Sequence, residues 1–311
     1  VVSEFPITMH AAVLTAILFA LTGVCAAQAS SLLGAGRANA WRLTIALAVL
    51  ALWVHGFGPG LKHGLRPWFL AAGAVGFGLG GWCAMQALRH GGSTLALLVI
   101  ECVAALAATA IGWLALGAAL HGPQLGWLAL ILIGVILGAS PGPLPALPRP
   151  LLHRACAFAI AAGCFQAVSI NLSKHGFNLL EPTAVPVTPV EAAYQRLWGG
   201  FAAALVIHWL IRWRTRGRLA APVCKAPFPA SPLPAPAWVT LNALFGPVLG
   251  VTCLMWAVSL VRNPGLVQTV AATATLFSIP AARWLEGARP RLSYYLGVTI
   301  ALAGVAGLLT A

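Results

Sequence analysis

No aspartate occurs in the 311 residues, and glutamate occurs only as Glu4, Glu101, Glu181, Glu191 and Glu286. Even with 18 Lys and Arg, charged side chains make up 7% of the chain, against roughly a quarter in ordinary soluble domains. So few charges exclude a water-soluble surface. Apolar residues make up 60% of the chain. They lie in runs of about 20 residues, the length that crosses a bilayer core of ~30 Å. The runs are continuous rather than alternating, which speaks against a β-barrel. The expected fold class is an all-α polytopic membrane protein.

Other shortages narrow the function. The seven Cys form no CxxC and no metal-ligand spacing. Most sit inside apolar runs, where a thiol behaves as a small hydrophobe. Neither a metal nor a cofactor is expected. The net charge of +13 does not point to nucleic acid, because the cations stand singly or in short clusters between apolar runs, as loop charges do. The run after Met9 reads as a first spanning helix rather than a cleavable leader.

Ten apolar segments are predicted, near 9–29, 40–58, 67–88, 93–117, 122–139, 153–173, 190–211, 237–260, 264–286 and 291–310. Residues 1–140 form a first group of five, 141–152 a proline-rich linker, and 153–311 a second group of five with a proline-rich basic loop at 212–236. The halves echo each other. AWRLTIALAVLALWVHG in the second segment and AYQRLWGGFAAALVIHWL in the seventh each place an arginine, Arg42 or Arg196, just inside an apolar helix. His55 or His208 follows about a dozen residues on, at the 1.5 Å rise of a helix. CAMQALRHGG and WAVSLVRNPG each end a segment with an arginine, Arg89 or Arg262, and a short glycine-containing turn. An odd number of helices per half makes the halves cross in opposite directions. The prediction is ten transmembrane helices as two inverted five-helix repeats, with a binding site near the midplane between them.

The end of the second half, LFSIPAARWLEGARPRLSYYLGVTIALAGVAGLL, resembles the C-terminal signature of EamA-like carriers of the drug/metabolite transporter superfamily. Pro280 matches the proline that breaks the ninth helix in that pattern. Leu285, Glu286 and Gly287 loosely match its Leu-Gly-Glu closing element, and Gly297 and Gly304 match the paired glycines of the tenth helix. The resemblance implies a ten-helix carrier of small metabolites, often an exporter driven by a cation gradient. The first half departs from the pattern. Its fourth segment has no proline and ends LALGAAL, without the glutamate, and carries Glu101 instead.

Glu101 lies eight residues beyond Ser93, roughly 12 Å into its run at 1.5 Å per residue. A charge near mid-membrane costs several kcal/mol by contested estimates. The carboxyl therefore either holds a proton until water or a cation reaches it, which suits a coupling element, or pairs structurally with Arg42 or Arg196. The other glutamates have interfacial or helix-terminal explanations. Gln86 and Gln166 are candidate pocket residues, while Asn171 and Gln268 lie near segment ends and carry less information. Trp82 and Trp256, at near-equivalent repeat positions, are candidate pocket walls. Trp41, Trp68, Trp213 and Trp238 fit interfacial belts. Arg42 and Arg196 either snorkel to headgroups or contact an anionic substrate group or Glu101. Gly134 with Gly138, and Gly304 with Gly307, suit close helix packing.

The expected function is secondary transport, exporting small amphipathic metabolites such as amino acids by alternating access, with protons as the candidate coupling ion, from a bacterial inner membrane. Glu101 would couple, and Trp82, Gln86, Gln166, Trp256, Arg42 and Arg196 would bind substrate. The partners expected are that substrate, protons and membrane lipid, in a monomer or homodimer. No enzymatic activity is expected. The alternatives are a membrane-embedded lipid-modifying enzyme and an accessory membrane subunit. Charge counting, dominated by RWRTRGR at 212–218, places both termini outside, whereas the resemblance implies both inside.

Overall fold

Where no water can pair backbone N–H and C=O groups, an apolar chain must satisfy them internally, and helix does so within one segment. The computed structural model describes residues 5–58, 60–61, 64–139, 149–180, 187–215, 233–286 and 292–310, and among these it is helical with no strand. The helices are α1 (Phe5–Leu33), α2 (Ala35–Leu52), α3 (Pro67–Gly73), α4 (Gly81–Leu116), α5 (Gly122–Ala139) and α6 (Arg149–Leu180). They continue with α7 (Pro189–Thr215), α8 (Ala235–Ala243), α9 (Val251–Leu260), α10 (Pro264–Ala271), α11 (Ala274–Glu286) and α12 (Leu292–Thr310). Among the described residues, five stretches are long and apolar enough to cross a membrane: His10–Leu33, Ala35–Phe57, Pro67–Leu116, Arg149–Leu180 and Ala235–Leu260. Gly122–Gly138 and Leu292–Leu308 are shorter apolar helices. The molecule is an integral membrane protein.

The third and fourth segments, Pro67–Leu116 together, part at Gly92, inside the turn predicted between residues 88 and 93, whereas two other segments differ from the prediction. Gly92 has φ 75° and ψ 172°, which a side chain would strain. The chain reverses there. Before the bend, Phe69 faces Gly176 and Gly80 faces Phe165, antiparallel to α6. After it, Gly163 meets Ile100 and Val103, and Asn171 Nδ2 donates to the Ala108 carbonyl at 3.1 Å, parallel to α6. The ninth segment is interrupted at Ala272–Thr273 rather than at Pro280, which lies inside continuous α11. The sixth segment starts earlier and ends later than predicted, so 149–152 are helical rather than linker. Residues 140–148 and 216–232, with Glu4, Glu181 and Gly287, lie outside the described residues.

Besides Trp53–Phe57 at the end of α2, two stretches that join helices wind more loosely, as π-helix: Ala74–Gly80 between α3 and α4, and Leu244–Gly250 between α8 and α9. The first contains Gly76, Gly78 and Gly80. The second contains Gly246 and Pro247, and the proline has no N–H to donate to the preceding turn. Wide turns of this kind often mark functional sites.

Glycine also sets the packing. A Cβ on Gly134 would come 2.5 Å from the Ala301 nitrogen, and one on Gly304 would come 2.7 Å from Ile131 Cγ1, so α5 and α12 meet backbone to backbone. Trp238, expected in an interfacial belt, is instead 4% exposed inside the packing of α1, α2 and α8. Lys174 lies inside α6, and its Nζ donates to the Ser259 carbonyl in the last turn of α9 at 3.2 Å. There the ammonium meets the negative end of a helix dipole.

Asn263 closes the turn before α10. Its Oδ1 accepts from Gly265 N at 2.9 Å, and its Nδ2 donates to the Ala118 carbonyl at 2.8 Å. Asn263→Ala removes an N-cap and leaves a buried carbonyl unpaired. The expected cost is about 1–2 kcal/mol, read as a lower thermal unfolding midpoint in detergent. An unchanged midpoint would mean that water replaces the side chain.

Candidate functional site

A cavity of about 120 Å³ opens between the halves of the chain. Its wall takes residues from α1, α2, α4, α6, α7, α8 and α9 and from the π-helical stretches Ala74–Gly80 and Leu244–Gly250. Four residues singled out in the sequence line it: Arg42, Glu101, Gln166 and Arg196.

Glu101 is 3% exposed. Its hydrogen-bond partners among the described residues are amides, and neither arginine forms an ion pair with it. Gln268 Nε2 donates to one carboxyl oxygen at 2.6 Å. Gln166 Nε2 lies 3.4 and 3.5 Å from the two oxygens, the long limit of a hydrogen bond. The 2.6 Å separation is short for N–H···O and ordinary for O–H···O. Gln268 Oε1 is itself buried without a partner. A half-turn of that amide would bring Oε1 to the carboxyl, where it could accept a proton-bearing O–H. One glutamine can therefore serve both states of the acid, donating to the carboxylate and accepting from the carboxyl.

Gln268 was undervalued in the sequence because it falls near the start of its predicted segment. In the structure that start is inside the protein: Asn263 is 2% exposed and Gln268 fully buried. A helix end is a membrane edge only when it reaches the edge. The available signal was the run VQTVAATATLFS, whose Thr269, Thr273, Thr275 and Ser278 are all buried.

Arg196 is 4% exposed. Its Nη2 donates to Ser169 Oγ at 2.9 Å, its Nη1 to the Met255 sulfur at 3.0 Å, and its guanidinium lies 5.3 Å from the centre of the Phe77 ring. Ser169 Oγ in turn donates to the Ala72 carbonyl at 2.6 Å. Arg42 is half-buried, and its Nε donates to Asn39 Oδ1 at 2.9 Å. Asn39 Nδ2 donates to the Phe77 carbonyl at 3.1 Å. Each arginine is thus tied through one neutral side chain to the helix that carries the π-helical stretch Ala74–Gly80. Neither snorkels outward.

The other expected pocket residues lie elsewhere. Trp82 packs edge-on against Phe158, with ring centres 5.5 Å apart. Gln86 is half-buried with Oε1 unpartnered, and Trp256 is 46% exposed on the outer side of α9. Neither Trp82, Gln86 nor Trp256 lines the cavity. One position earlier, Met85 lines the cavity and Met255 meets Arg196. Each residue turns a helix by about 100°, so an error of one position changes the face presented. Pro280 is exposed and away from the cavity. No cluster of three potential metal ligands occurs among the described residues.

No curated protein matches the chain. One solved protein crystal structure superposes on it with a TM-score of 0.68, covering 96% of this chain and 94% of its own, at 16% identity. That likeness is one of fold. The family comparison falls on the half in which the fourth segment departs from the expected pattern, not on the C-terminal residues that carried the resemblance. The model of the EamA-like transporter family matches residues 7–139, the stretch from α1 to α5, and the chain is similar to that family there.

Proposed function

We propose that the chain is a proton-coupled secondary transporter that exports small amphipathic metabolites, such as amino acids, from a bacterial inner membrane by alternating access. The observation that carries this reading is one cavity, walled by both halves of the chain, that holds a buried carboxyl bonded to amides instead of a cation. A structural ion pair would serve packing alone. A carboxyl with a partner suited to both of its states serves proton exchange.

Two inverted five-helix repeats are the architecture the contacts favour. Equivalent segments of the halves pair antiparallel. In α2 and α7, Gly36 lies near His208, and His55 Nε2 lies 3.3 Å from the Tyr194 hydroxyl. In the fourth and ninth segments, Thr109 meets Gly265 while Glu101 meets Gln268. In α5 and α12, Trp127 meets Gly307 while Gly138 meets Gly297. Pro67–Leu116, at 50 residues, is ~75 Å of helix, more than twice a ~30 Å bilayer core, and its reversal at Gly92 suits two crossings.

Proteoliposomes carrying the chain test the reading. Preloaded with an unlabelled panel of amino acids and short carboxylates, they should exchange the transported member for its labelled form, and an imposed pH gradient should drive its net accumulation. Folded protein that exchanges no member would overturn the proposal.

A further inference from the structure

Among the described residues, both guanidinium groups of the cavity lack a counter-charge. Arg42 meets an amide oxygen, and Arg196 meets a hydroxyl, a thioether and an aromatic face, all of them neutral. Arg196 Nε is also buried without a partner. Burying a cation without an anion costs several kcal/mol in effective desolvation. The one acidic group of the cavity, Glu101, is engaged by Gln268 and Gln166. Two fixed positive charges therefore share the cavity with a single carboxyl.

The two cations also share a floor. A Cβ on Gly76 would sit 3.6 Å from Arg196 Nη2, and one on Gly81 would sit 2.8 Å from Arg42 Nη2. Gly76 and Gly81 belong to the same run of helix, in and just after the π-helical stretch Ala74–Gly80. A Cβ on Gly81 would crowd the Arg42 guanidinium, and one on Gly76 would clash with Ser169, the hydroxyl that holds Arg196, so the glycines keep a polar trough open between helices that reach it from opposite halves of the chain. The rest of the wall includes Phe19, Met85, Leu97, Ile100 and Leu254 and is mostly apolar, with Thr22, Gln166, Ser169 and Asn242 as its neutral polar groups.

We infer that Arg42 and Arg196 form an anion subsite over Gly76–Gly81, and that the ligand is a small organic carboxylate with an apolar body. A guanidinium fork matches a carboxylate in plane and charge. The cavity of about 120 Å³ limits the body to the size of a single ring, since an engineered cavity of about 150 Å³ takes benzene. The inference rests on the reading of this cavity as the transport site and adds the sign of the charge it takes.

The test is binding to purified protein in detergent, by calorimetry and thermal shift, with three probes of one shape: benzoate, benzamide and benzylamine. Benzoate is expected to bind at least tenfold more tightly than the other two. Arg196→Gln and Arg42→Gln are each expected to weaken benzoate at least tenfold and leave benzamide unaffected. Arg42→Lys, which keeps the charge and loses the fork, is expected to fall between. If a glutamine variant does not fold, the probe ranking on the unaltered chain still decides. Equal binding of benzoate and benzamide, or preference for benzylamine, overturns the subsite. Benzoate binding without flux in proteoliposomes would overturn the transporter reading and leave the subsite standing. Flux of a neutral or cationic solute with no benzoate binding would do the reverse.

Discussion

Glu101→Gln is expected to reduce pH-gradient-driven flux to the level of protein-free vesicles while substrate exchange at equal pH on both sides persists. The amide has the shape of the carboxyl and can still hydrogen-bond Gln268, but it cannot take up and release a proton. The stability change should stay within about 1 kcal/mol, because one hydrogen bond replaces another. Glu101→Ala differs. It strands the Gln268 amide in a buried site, at a cost of about 1–3 kcal/mol, and should lower the unfolding midpoint as well as the flux. Comparing the two separates proton exchange from packing. Undiminished pH-driven flux in Glu101→Gln would remove the coupling role, whatever the alanine variant does.

Gly73→Ala is expected to be among the most disruptive single-methyl additions in the chain. A Cβ at Gly73 would lie 2.5 Å from the Arg196 carbonyl carbon and 2.8 Å from its Cα. The contact is reciprocated one turn away, where a Cβ on Gly199 would lie 2.7 Å from the Leu70 carbonyl carbon. Backbone stands on both sides, so no rotamer change relieves the clash, and α3 and α7 must move apart. Overpacking of this kind costs roughly 2–3 kcal/mol. Because the displaced residue is Arg196 itself, the shift also carries its guanidinium off Ser169 and Phe77. Thermal unfolding in detergent should show a clear fall, accompanied by loss of benzoate binding. Gly122→Ala, at a position with nothing within 4 Å of the added carbon, is the control and should change stability by no more than about 0.5 kcal/mol. A Gly73→Ala midpoint equal to that of the control would mean that the helices part freely.

The candidate site was partly legible before the structure. Glu101 stood out because a carboxylate deep in a twenty-residue apolar run has few innocent explanations. Arg42 and Arg196 stood out because they recur at matching places in two halves. Gln166 followed from the cost of an amide in lipid. All four reach one cavity. Gln268 was passed over, although it makes the shortest hydrogen bond to Glu101, from 167 positions away. Trp82, Gln86 and Trp256 were chosen for their chemistry on helices whose rotation the sequence does not state, and Met85 and Met255 occupy the inward positions instead.

The sequence by itself determined the solvent, the helical class and the approximate segments. These follow from local quantities: the length of each apolar run, the scarcity of charge, and glycine or proline where runs end. It also located the turn at Gly92, where the helix of the third segment ends and that of the fourth begins. Tertiary structure alone decided which faces meet. The angle at which a helix presents a residue depends on how its neighbours pack, and here that is set by glycines that let backbones touch, such as Gly73 on Arg196 and Gly297 on Gly138. Those contacts carried Glu101 to two amides rather than to an arginine, and left both arginines facing the cavity with no ion-pair partner among the described residues.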